Sequence, residues 1–158
     1  MTRSRLTALL GAALVFAATL ASAQSDPLLG KFTLNVSKSK YSPGPPPKSE
    51  TRTYEVYNGS GVKARFDRVA ADGKTLTVTY SAMYDGKDYP YVGSPDADTI
   101  ALRKVDSRTV DATLKKAGKT VQTTHAVLSA DGKTRTLVTT GTNAAGARIN
   151  NTTVFDRQ

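Results

Sequence analysis

The 158-residue sequence has no cysteine and no tryptophan, a single histidine and two methionines, and after residue 20 no apolar run of membrane-spanning length. Each absence excludes something. Without cysteine there can be no disulfide, no thiol nucleophile and no lipid-modified thiol to tether an exported chain to a membrane. With one histidine and no cysteine, a zinc site of imidazole and thiolate ligands has nothing to assemble from. No Gly-x-Ser-x-Gly elbow, glycine-rich phosphate loop or dinucleotide fingerprint occurs. These gaps point away from an enzyme and from any cofactor. Acidic residues are also few, 13 against 22 Lys and Arg, for a net charge of +9.

What is present begins at the N-terminus. Arg3 and Arg5 precede a stretch, residues 6–20, of apolar and small residues, and Ala21-Ser22-Ala23 follows with small residues where a signal peptidase inspects. That order predicts a cleavable secretory signal over 1–23. A membrane anchor fits less well, because about 15 apolar residues fall short of the roughly 20 that a spanning helix needs. Residues 24–158 are then expected as one domain, periplasmic or secreted, large enough to bury its own core.

From Gly30 onward the chain alternates with a period of two. Phe32, Leu34 and Val36 share one face, Tyr54 and Val56 another, then Val62, Ala64 and Phe66. The longest run, 74–84, sets Leu76, Val78, Tyr80, Ala82 and Tyr84 against Thr75, Thr77, Thr79 and Ser81. Ile100 and Leu102, then Val110, Ala112 and Leu114, continue it, as do 134–140 and 148–155. Successive side chains of a strand point to opposite faces of its sheet, so this pattern predicts half-buried strands and no helix. Asp72-Gly73, Asp85-Gly86 and Asp131-Gly132 supply hairpin turns between them. Ala71-Asp72-Gly73-Lys74-Thr75 recurs as Ala130-Asp131-Gly132-Lys133-Thr134, which is read as one favoured turn used twice. The proline-rich link 42–47 is predicted to join the first two strands as a stiff extended segment. The expected fold is all-β, an antiparallel up-and-down meander of about 8–10 strands closed into a barrel, with a β-sandwich as the alternative.

The run Leu28-Leu29-Gly30-Lys31-Phe32-Thr33-Leu34-Asn35 resembles the Gly-x-Trp opening of lipocalin barrels, with Phe32 in the place of the tryptophan. The closing run Val154-Phe155-Asp156-Arg157 is similar to the late lipocalin segment that brings a basic residue onto that aromatic. The Pro-rich link and the Asp-Gly-Lys turns resemble those of small exported bacterial proteins of lipocalin-like character. The resemblance implies a calycin-type barrel in which Gly30, Phe32 and Arg157 are structural positions.

In such a barrel Tyr54, Phe66, Tyr80, Tyr84, Leu102 and Leu114 would line the interior, beside small residues such as Ala64, Ala82 and Ala112. Large aromatics mixed with small residues can leave a cavity for one small, mostly apolar ligand. His125, in phase with Val121 and Val127, is expected to point inward as a polar ligand contact. The alternative is a filled barrel: a non-enzymatic structural or interaction protein whose basic rims, such as Lys115, Lys116 and Lys119, meet an anionic envelope component. Nucleic acid is not expected as a partner of an exported chain. Asp85, Asp88, Asp96 and Asp98 crowd one region, but their spacing matches no calcium loop, and no metal is expected.

Overall fold

A computed structural model of the chain describes residues 26–158; the export signal expected at 1–23 lies outside the described residues. Ten antiparallel strands follow in order: β1 Gly30–Leu34, β2 Ser49–Tyr57, β3 Gly61–Val69, β4 Thr75–Ala82, β5 Asp85–Val92, β6 Thr99–Lys104, β7 Thr109–Lys116, β8 Lys119–Leu128, β9 Thr134–Thr142 and β10 Arg148–Arg157. Each pairs with its neighbours in sequence, and β1 pairs with both β2 and β10, so the sheet closes on itself. Closure leaves no strand edge for a stray chain to extend. The only helical feature among the described residues is a short 3-10 turn, Val36–Lys38, capped by the Asn35 side chain.

Local chemistry explains the reversals. The carboxylates of Asp72, Asp106 and Asp131 each accept the backbone N–H two residues on, fixing the turn from within. At 117–118 the two-residue hairpin has positive φ at both positions, including Ala117 at +48°. That twist matches the flanking strands. Asp85-Gly86 departs from expectation. Asp85 caps Lys87 N in the same manner, yet both residues belong to β5, and the reversal is made one step earlier, at 83–84. A register shift between Asp85 and Asp88 absorbs the extra chain.

Inward positions are filled by alternation. Phe32, Tyr54, Val62, Ala64, Phe66, Val78, Tyr80 and Ala82 are buried on β1–β4, and Ile100, Leu102, Val110, Leu114, Ala126, Leu128, Leu137 and Phe155 on β6–β10. Four aromatic contacts cross the first half as a ladder: Phe32–Tyr54, Tyr54–Phe66, Phe66–Tyr80 and Tyr80–Tyr91, with ring centroids 6.0, 5.7, 5.7 and 5.8 Å apart. The first three meet edge-to-face, the arrangement ring quadrupoles favour. One seam is thin. β4 and β5 pair only through Thr79↔Val92 and Tyr80↔Tyr91, because Pro90 has no N–H with which to continue the ladder.

Register, not local hydropathy, decides which face of β8 is inside. Val110, Ala112 and Leu114 of β7 face inward and stand opposite Ala126, Thr124 and Gln122. That pairing turns Thr123, His125 and Val127 to the other face, against expectation, and His125 and Val127 are exposed; Val121, at the register shift beside Gln122, stays half-buried against the core.

Candidate ligand-binding site

The connections alternate between the two barrel ends. One end, carrying the turns 58–60, 83–84, 105–108 and 129–133, is plugged by the N-terminal residues 26–29. Leu28 is buried there, and Arg157 holds the plug in place. Its Nε donates to Gly132 O at 2.6 Å, Nη1 to Leu29 O at 2.7 Å and Nη2 to Pro27 O at 2.5 Å, while its guanidinium carbon lies 4.5 Å from the centre of the Phe32 ring. Gly30 makes this approach possible: a Cβ at this residue, which has φ +122°, would stand 2.5 Å from Arg157 Nη1. Gly30, Phe32 and Arg157 thus form one structural unit.

The other end is open. The 42–47 segment runs along its rim rather than swinging free: Ser42 N donates to the Asn151 side chain, Asn150 N donates to Ser42 O, and Pro47 is buried. Below the rim lies a cavity of about 360 Å³ inside the barrel, at the lower end of the range of about 300–1,000 Å³ usual for small-molecule sites. Tyr54, Phe66, Tyr80 and Tyr91 form one wall; Ala112, Thr124, Thr139 and Asn151 are on the opposite one. On that second wall Thr124 and Thr139 share a hydroxyl hydrogen bond of 2.9 Å, and Gln122 donates to Thr142 O, so its polarity is largely spent within the barrel.

Of the residues anticipated for the interior, Tyr54, Phe66, Tyr80, Leu102 and Leu114 line this cavity. Tyr84 does not. It is half-buried near the plugged end, with Lys104 Nζ 5.2 Å from its ring centre. His125 is also outside, a correction with a plain cause: it is the cross-strand partner of Asp111 on the outer face, and its Nδ1 is 2.7 Å from Asp111 Oδ1. The acidic residues once grouped by sequence are dispersed, Asp88 to Lys115, Asp96 to Ala144 N and Asp98 to Ala117 N. Among the described residues no group of three or more His, Asp and Glu is placed to hold a metal ion.

Sequence reasoning missed the charges inside the barrel. Glu50, 1 % exposed, accepts from Arg52 Nε at 2.5 Å and from Arg68 Nε at 2.7 Å. Burial pushes the Glu50 carboxyl up, but the combined pull of Arg52 and Arg68 outweighs it and holds the group below the usual carboxylate range. Arg52 in turn lies over two rings, 4.3 Å from the Phe66 centre and 4.5 Å from that of Phe155. Deeper still, Arg135 lines the cavity floor, 4.2 Å from the Tyr54 centre. The signal for all of them was present: Glu50 and Arg52 are in phase with Tyr54, Arg68 with Phe66, and Arg135 with Leu137. Burial, reinforced by Glu50, raises the Tyr41 hydroxyl to about 12, and burial raises that of Tyr91 to about 12. Both phenols near the mouth are therefore neutral hydrogen-bonding groups at ordinary pH.

No family model, no curated protein and no solved structure matches this chain, so the cavity and its charges are what the functional reading rests on.

Proposed function

We propose that this protein is a lipocalin-like carrier that holds one small, mostly apolar molecule inside its barrel, outside the cytoplasm. The observation that carries the reading is the cavity of about 360 Å³, plugged at one end, open at the other and walled on one side by four aromatic rings. A hollow of this size weighs against the filled barrel of the alternative reading, since well-packed interiors leave few voids larger than a water molecule. The placement outside the cytoplasm rests on the signal-like residues 1–23. Binding rather than catalysis is favoured by the interior chemistry: Glu50 is held ionised between two arginines and is a poor proton donor near neutral pH, and His125 faces away from the cavity.

Titration with the neutral, environment-sensitive dye Nile red tests the proposal. Saturable one-to-one binding is expected, with displacement by apolar competitors. Ala112→Phe, which projects a ring into the cavity, is expected to abolish that binding while leaving cooperative thermal melting in place. Absence of saturable binding, or dye binding indifferent to Ala112→Phe, overturns the reading.

A further inference from the structure

Two arginines approach Phe32, and they are treated in opposite ways. Arg157 engages all three of its guanidinium nitrogens with backbone carbonyls. Arg135 is 6 % exposed and makes one long hydrogen bond, from Nη1 to Leu28 O at 3.4 Å; its Nε is buried with no partner. No carboxylate among the described residues forms an ion pair with it. Glu50, the one buried carboxylate among the described residues, is occupied by Arg52 and Arg68, so none is left for Arg135. A guanidinium offers five N–H donors in a planar fork and stays protonated in proteins. Leaving such a group dry and unneutralised is costly, and the ring faces of Tyr54 and Phe32 offset only part of that cost.

Resting on the carrier reading above, we propose that the ligand is an anionic amphiphile whose carboxylate enters first and docks on Arg135 at the cavity floor. A carboxylate is the planar, two-oxygen partner that the fork accepts in a bidentate manner, and it supplies the missing counter-charge. The apolar remainder then extends toward the mouth along Tyr54, Phe66, Tyr80 and Tyr91, the aromatic wall, beside which Glu50 neutralises Arg52. The polarity of the site is thus inverted relative to a simple hydrophobic pouch, with the charged group deepest.

Matched competitors against Nile red test this near neutral pH: decanoate, decanol and methyl decanoate, which share a chain and differ in the head. Wild-type protein is expected to prefer decanoate over both neutral analogues by on the order of tenfold or more, the size of one buried charge-assisted hydrogen bond. Arg135→Met is expected to lose that preference and still bind decanol, and to melt at least as high as wild type without ligand, because an uncompensated buried charge has gone. Arg108→Met, which removes the same charge from an exposed turn, is expected to keep the preference and so exclude a general effect of the basic surface. Equal binding of decanoate and its methyl ester by wild type overturns the inference while leaving the carrier reading intact, and needs no variant to fold. Retention of the preference in Arg135→Met also overturns it. Failure of all three competitors and of Nile red to bind removes the carrier reading, and this inference with it.

Discussion

The two ends of this barrel are built on opposite terms. At the plugged end the closure is made by protein partners: Arg157 spans three carbonyls, Asp26 takes Lys104 at 2.7 Å, and Leu28, Phe32, Leu128 and Phe155 are fully buried around them. Above them Arg135 is the one side chain among the described residues left with a buried nitrogen that has no partner. At the open end the rim is prolines, short polar loops and Arg68, whose side chain is 39 % exposed; its bonds tie loop to loop at Asp96 and Ala144 and loop to strand at Ser42 and Asn151. The plugged end therefore concentrates stability, and the open end concentrates access. A strained or empty feature at the first would be a defect, whereas at the second it is an entrance.

Substitution at each level should break or sharpen that contrast. The largest effect is expected from Phe32→Ala. It removes a fully buried ring together with the surface against which Arg157 and Arg135 lie, and should cost about 3–5 kcal/mol in a urea titration. Next comes Glu50→Gln, near the mouth in sequence yet buried, which strips Arg52 of its counter-charge and should cost about 3 kcal/mol at neutral pH. The same carboxylate sets a pH limit. Its folded pKa is depressed, so its stabilisation is complete above the ordinary carboxylate range and fades as pH falls through the lower, folded value. Melting temperature followed downward from pH 6 should show that loss in wild type and lack this share of it in the glutamine variant. The smallest effect is expected from Asp96→Ala, which frees the rim hydrogen bond to Ala144 N and should change stability by less than about 1 kcal/mol, measured by the same urea midpoint. If Asp96→Ala rivals Phe32→Ala, the division between a stabilising end and an access end is wrong.

Much of this architecture was legible in the residues because strands with one buried face write their period directly. The alternations around Val78 and Val110 placed those side chains inside, as the structure has them. β8 was misread because both of its faces carry methyl-rich residues, Val121 and Val127 on one and Ala126 and Leu128 on the other. Only pairing with β7 breaks that tie, and pairing is not a local property. The Asp85-Gly86 reversal was displaced for a similar reason: an aspartate that caps the N–H two residues ahead does so equally well at a hairpin and at the start of a bulged strand. The interior charges were hidden by an assumption that Lys, Arg and Glu mark solvent. At Glu50, Arg52 and Arg135 they keep the parity of the core, and a charged residue in phase with buried neighbours is the unread pattern that marks the site.

The circular strand order also governs how the chain finds its shape. Every pairing but one joins strands adjacent in sequence, so hairpins can form in any order at small entropic cost. The exception is β1 with β10, which brings together residues as far apart as Phe32 and Arg157, 125 positions along the chain. The whole topological burden of folding falls on that single junction, made by a strand of only five residues. Without that junction the strand order is an open sheet with β1 and β10 as its two free edges, and the same pairing that seals the ring sets Phe32 beside Arg157 at the cavity floor.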